Sequence, residues 1–191
     1  AQAHDGPIED LFASASAEFF GSVDSRTSRS HLYGTDDQLL SYLQTQDGRA
    51  EAIAADPHAL MDTGIADLDS ILGTLDPGLG LAIAARPGVG KTTLMEQIAE
   101  HNARHNKRVA FYHLELSHQF MLDRRMARYA AIPLDRLKRG YNGPEIGRTL
   151  DEPGTWAPNI VYVHCPGWSA QQIATDMTRL AARGECDLAI I

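Results

Sequence analysis

Residues 81–95 read LAIAARPGVGKTTLM: an apolar run, a glycine-rich turn and the opening of a helical pattern. The run 81–85 is too short and too apolar for a surface helix and is expected to be a buried strand of a parallel sheet. The turn that follows, ARPGVGKT over 85–92, matches the phosphate-loop spacing except at its first position, where Ala85 stands in place of glycine. Gly88 and Gly90 can take backbone angles closed to other residues, which lets main-chain N–H groups approach a polyphosphate. Arg86, Pro87 and Val89 complete the loop, and Thr93 follows it. A helix starting near Lys91 turns its positive end toward the same anion. Lys91 would reach the β- and γ-phosphates, and the Thr92 hydroxyl would ligate Mg²⁺. The competing reading is an ordinary strand-to-helix turn that contains two glycines and a lysine.

The rest of the 191-residue chain suits a globular protein with room for one domain and an appendage, at 43% apolar and 22% charged residues. No run of eighteen apolar residues occurs, and AQAHDGPIED lacks the basic and apolar regions of a signal peptide, so a cytoplasmic protein with no membrane segment is expected. The formal charge of −8 argues against attachment to nucleic acid by bulk positive charge, although a local basic patch would escape that test. Cys165 and Cys186 are the only cysteines; one should follow a strand and the other precede the next, at opposite edges of a parallel sheet, so no disulfide is expected.

In chain order, Ile8, Leu11, Phe12, Ala15, Phe19 and Phe20 recur at helical spacing and predict a first amphipathic helix. A hydroxyl-rich linker, residues 22–34, leads to Thr35-Asp36-Asp37-Gln38, which has capping-box spacing and opens a helix with Leu39, Leu40 and Leu43 on one stripe. That stripe docks either on its own domain or on a neighbouring subunit. Ile65, Leu68, Ile71 and Leu72 form the next helical face. After the loop, Leu94, Met95, Ile98 and Ala99 are the packed face of a helix ending near His105, with His101 and His105 read as two exposed histidines rather than a metal site.

Residues 108–115, RVAFYHLE, are the second predicted strand, ending in a carboxylate. Ligands of such sheets sit at the carboxyl ends of strands, so Glu115 reads either as a base that deprotonates a water for attack on a γ-phosphate or as a solvated acid opening a loop. Ser117 should cap the next helix, with Leu122, Met126, Tyr129 and Ala130 toward the core and Asp123, Arg124, Arg125 and Arg128 polar. Arg124 would reach nucleotide or is an ordinary solvated arginine. Ile132-Pro133 breaks the pattern before two short helices. Strands are predicted over 159–164 and 187–191, separated by a helix that Ser169 and Gln172 cap and that buries Ile173, Met177, Leu180 and Ala181. Alternating strands and helices imply a parallel α/β sandwich.

The run from TGIADLD through ARPGVGKTT and HLELS to DRRMARYAAIPLDRLKRG and GECDLAII resembles the RecA-like motor domain of replicative DNA helicases of the DnaB type. The resemblance covers 61–191, and the helix at 35–43 is similar to the family's linker helix. It implies an α/β RecA-like phosphate-loop NTPase, mainly parallel sheet flanked by helices, behind a helical linker segment of residues 1–60. It also implies ATP and Mg²⁺ as cofactors, a hexameric ring, single-stranded DNA as the track, and a primase and a helicase loader as partners. Carried over by motif, Lys91 and Thr92 match the phosphate and metal residues, Glu115 the catalytic base, and Arg124 the arginine bordering the nucleotide. The family's further metal acid, DNA-binding loops and finger arginine fall past Ile191, so the chain is expected to be a piece of a longer protein and inactive alone. The alternatives are a recombinase- or clock-protein-like RecA relative, and a nucleotide-gated assembly module that does not unwind.

Overall fold

The computed structural model describes residues 34–148, 151 and 153–191. The amphipathic helix expected over residues 8–20 lies outside them. The chain divides into two units, one comprising Ala1–Met95 with Ser169–Thr175 and the other Glu96–Trp168 with Asp176–Ile191.

In the first unit, helix α1 spans Thr35–Ala55 and buries no residue. Thr35 was expected to cap it; instead Gly34 is the cap, without a side-chain hydrogen bond, and Thr35 is already helical. Arg49 of α1 pairs with Asp76. Helix α2, Ala66–Leu72, is entered through Thr63, whose N–H (2.8 Å) and hydroxyl (2.6 Å) both donate to Asp69 Oδ1. Its expected apolar face is not buried: Ile71 is 80% exposed, and the buried side chains nearby are Thr63 and Leu75. Residues 81–85 are a second departure, because they join no ladder and Leu81 is exposed. A strand exists only through its hydrogen-bonding neighbour, and three alanines in five positions leave little side chain to hold an unpaired run in a core. Helix α3, Lys91–Arg104, starts in this unit and continues into the second.

The second unit is built on a parallel three-stranded sheet of order β2-β1-β3. Strand β1, Val109–His113, is central and buried at all five positions. Strand β2, Ile160–His164, pairs with it from Val109↔Ile160 to His113↔His164, and β3, Leu188–Ile190, from Val109↔Leu188 to Phe111↔Ile190. These strands are shorter than the sequence pattern implied, and Glu115 lies two residues past the end of β1. Aromatic and β-branched residues hold the centre, with Phe111 and Tyr162 rings 5.5 Å apart. Arg108 forks onto Asp187 through Nε (2.9 Å) and Nη2 (2.6 Å), joining the starts of β1 and β3.

Helix α4, His118–Ala130, has the expected Ser117 cap, whose hydroxyl accepts from the Phe120 amide at 3.3 Å. It stops at Ala131, held left-handed at φ 51°, ahead of Pro133, which cannot continue a helix. Short helices α5 (Leu134–Lys138), α6 (Pro144–Arg148) and α7 (Pro153–Trp156) and a 3₁₀ turn (Ala157–Asn159) lead to β2. Asn159 Nδ2 donates to Ala103 O at 3.0 Å, fastening that turn to the end of α3. Helix α8, Ala170–Ala182, carries the expected capping box, with Ser169 N–H to Gln172 Oε1 at 2.8 Å and Gln172 N–H to Ser169 Oγ at 3.3 Å. Ile173 and Leu180 are its buried residues; Met177 is half-buried and Ala181 exposed. Both cysteines are free thiols.

The buried faces of α3 and α4 are not as wholly apolar as expected. On α3, Ile98 and Ala99 are buried, but so are Glu96, Glu100 and Asn102. On α4, Met121 is the buried residue, and Leu122, Met126, Tyr129 and Ala130 are only half-buried. Met121, Arg125 and Arg128 share a face at helical spacing, so two arginines assigned to solvent turn toward α3.

Candidate functional site

The loop is built for close approach by something outside it. Gly88 (φ 83°) and Gly90 (φ 103°) hold positive backbone angles that a side-chain-bearing residue rarely adopts. A Cβ added at either would meet nothing within 4 Å, so it is the angle, not crowding, that calls for glycine, and the space above the loop is open. Arg86, Pro87 and Val89 are exposed, Val89 by 64%. Helix α3 begins directly after Gly90, whose carbonyl accepts from the Leu94 amide at 2.9 Å. The first amides of an α-helix have no carbonyl behind them within the helix, and α3 carries no acidic residue in its first turn to offset that positive end. Lys91 lies across the loop, its Nζ donating to Ala85 O at 2.6 Å. Ala85 contributes a main-chain carbonyl, which any residue supplies, and its replacement of glycine therefore leaves this contact intact. Thr92 and Thr93 are half-buried on the first turn. Two left-handed glycines, an ammonium-bearing arm held across the loop and a helix start with hydroxyls suit a polyphosphate and its metal ion.

Glu115 and Arg124 belong to the second unit. Glu115 is exposed in the bend between β1 and α4. Arg124 is half-buried, its guanidinium 5.9 Å from the Phe120 ring centroid, with Lys138 on the same ring at 4.4 Å. His101 and His105 are half-buried rather than exposed, and their rings meet edge-on at 4.6 Å. Among the described residues no group of three or more His, Cys, Asp or Glu side chains is placed to hold a metal ion.

Sequence reasoning missed a seam of buried charge between α3 and α4. Glu100 accepts from Arg128 and, at 2.6 Å, from the Tyr129 hydroxyl. One turn earlier, Glu96 Oε1 lies 3.8 Å from Arg125 Nε, and the Arg125 guanidinium sits 3.8 Å from the centre of the Tyr162 ring. Burial pushes the Glu96 carboxyl above its usual range, against the pull of Arg128 and Arg125. Burial likewise raises the Tyr129 hydroxyl, helped by Glu100, and pushes Tyr162 up to about 12. His113 stacks on His164 at 4.8 Å at the carboxyl end of β1, and burial lowers its proton affinity. The signal for the seam was present as opposite charges at matching helical spacing, Glu96 and Glu100 against Arg125 and Arg128, on consecutive helices.

A parallel sheet flanked by helices, in a chain whose glycine loop opens a helix with Lys-Thr, is the arrangement of the RecA-like phosphate-loop class. Comparison with known proteins narrows this. The family model for the DnaB-like helicase C terminal domain matches residues 61–191, and the chain belongs to that family. It is similar to the replicative DNA helicase DnaB of Leifsonia xyli subsp. xyli, 33% identical over 79 residues, covering 41% of this chain and 17% of that protein. It is also similar to a probable plasmid replicative DNA helicase of Chlamydia muridarum, 35% identical over 127 residues, covering 65% of this chain and 28% of that protein. The chain thus spans less than a third of the length of these relatives. No helix among the described residues is long and apolar enough to cross a membrane.

Proposed function

We propose that this chain carries the nucleotide-binding part of an ATP-driven replicative DNA helicase motor, with residues 61–191 as RecA-like motor domain and residues 1–60 as helical linker. The observation that carries the reading is the loop: Gly88 and Gly90 with left-handed angles under open space, followed by Lys91 and Thr92 on the first turn of a 14-residue helix. Membership of the DnaB-like family supports the step from phosphate to ATP and from ATP to work on DNA.

In this reading the amides of the loop, residues 86–90, and of the first turn through Thr93 receive the phosphate oxygens, apart from Pro87, which has no N–H and instead presets the turn. Lys91 leaves the Ala85 carbonyl to pair with the β- and γ-phosphates, and the Thr92 hydroxyl is the chain's ligand for Mg²⁺. When bound, that ion would supply neutralisation of the charge that develops on the phosphate oxygens. Glu115 accepts a proton from the attacking water, and Arg124 borders the nucleotide. Single-stranded DNA is the track, and the working form is a cytoplasmic homohexamer with primase and loader as partners of the whole helicase. Support for a bridging role of α1 comes from its unburied stripe: Leu39, Leu40 and Leu43 are each close to 60% exposed.

The direct test is titration calorimetry with ATP and Mg²⁺ on the chain and its Lys91→Ala variant. Removing the ammonium should weaken ATP binding at least tenfold while the far-ultraviolet circular dichroism stays the same. Equal affinity in a folded variant would refute the assignment.

A further inference from the structure

We infer that Glu96 and Arg125 are positioning residues for α3, the helix whose first turn carries Lys91 and Thr92: their buried pair fixes the rotation of the helix where it packs on α4. The functional half of this inference rests on reading the loop as a nucleotide site. Glu96 stands five residues beyond Lys91 on the same helix, about 7.5 Å along its axis at 1.5 Å per residue. Its side chain is 3% exposed and that of Arg125 12%. Arg125 is held from three elements at once: its Nε donates to Met121 O of α4 at 3.4 Å and faces Glu96 of α3 at 3.8 Å, and its fork lies over Tyr162 of β2. Glu100 with Arg128 and Tyr129 makes a second rung one turn further along. Turning α3 by one residue, about 100°, would bring Gln97 and His101 to the two rungs and strand both arginines.

Stability does not account for the pair. Glu96 Oε1 and Arg125 Nη2 are buried without a hydrogen-bond partner, as is His113 Nε2 on the adjoining strand. Two ions withdrawn from water and imperfectly satisfied are commonly no more stable than apolar residues of the same volume. An apolar contact is non-directional and restrains rotation less sharply, whereas a planar fork on an aromatic face opposite a carboxylate has one register. What the pair supplies is orientation. A misplacement of about 1 Å at a site of this kind costs about 10²-fold in function.

The test removes the charges and keeps the volume. In the full chain, Glu96→Leu with Arg125→Met should leave the urea midpoint unchanged or raised. Amide hydrogen exchange over residues 91–95 should quicken at least tenfold, and ATP–Mg²⁺ affinity by calorimetry should fall at least tenfold. Arg125→Lys keeps the charge but not the planar fork, and should lower affinity several-fold under conditions where circular dichroism shows the variant folded. Either variant, folded and with exchange and ATP affinity within threefold of wild type, overturns the inference. So does a doubly substituted chain that cannot fold, because the pair would then be needed for folding itself. If exchange quickens as expected but the wild-type chain binds no ATP, the clamp stands and the reading of the loop fails.

Discussion

Replacing Tyr129 with phenylalanine removes one oxygen from the seam and nothing else. The ring keeps its edge-on contact with Trp156, at 6.0 Å and 86°, while the hydroxyl that donates to Glu100 Oε1 at 2.6 Å is lost. Glu100 is 6% exposed, so water cannot readily take the vacated place. A hydrogen bond to a charged group contributes about 1.5 to 3 kcal/mol. Arg128 still faces the carboxylate, which puts the expected loss at the lower end, about 1.5 kcal/mol. With a urea m-value of about 2 kcal/mol/M, the midpoint should fall by about 0.7 M. The chain contains its own control: Tyr141 makes the same hydroxyl-to-glutamate bond to Glu145, at 2.8 Å, on the surface. Urea unfolding of Tyr129→Phe and Tyr141→Phe side by side should show the first shifted and the second indistinguishable from wild type. Equal shifts, or a Tyr129→Phe midpoint within about 0.2 M of wild type, about 0.4 kcal/mol at that m-value, would show that burial does not strengthen this bond.

Acid should weaken the join between β1 and β3. Arg108 holds the Asp187 carboxyl below its usual range, so the stability this pair adds is present above the ordinary aspartate value and is lost as the pH falls through the lower folded value. Asp187→Asn should therefore flatten the stability profile below about pH 3.8, measured by urea midpoints from pH 7 to pH 2.5; an unaltered acid limb would reject the linkage. In the whole protein, Glu115→Gln should bind ATP but turn it over about 10² to 10⁴-fold more slowly, since an amide cannot take the water's proton; steady-state turnover within threefold of wild type would leave Glu115 a solvated loop acid. Leu39→Asp with Leu43→Asp should shift the whole protein toward smaller species in sedimentation velocity, because charge on the exposed stripe of α1 opposes docking on a neighbouring copy; an unmoved profile would reject that role.

What was legible in the sequence is what short stretches of backbone decide for themselves. The positive angles at Gly88 and Gly90, the Ser117 and Ser169 caps, the stop before Pro133 and the apolar centres of the three strands depend on residues within about one helical turn of each other. The phosphate-loop pattern belongs here too, since the loop's amides and the helix start that follows them are contiguous in the chain. Tertiary structure decided the rest. Residues 81–85 have a strand's composition but no ladder, because pairing requires a partner that composition does not name. The spacing of Glu96, Glu100, Arg125 and Arg128 suits a solvated helix face as well as a buried seam, and only the meeting of α3 with α4 turns them inward. Glu100 reaches Tyr129 across 29 positions, and Arg108 reaches Asp187 across 79. A charge becomes buried or exposed according to what lies opposite it in space, and that is a property of the packed molecule, not of its neighbours along the chain.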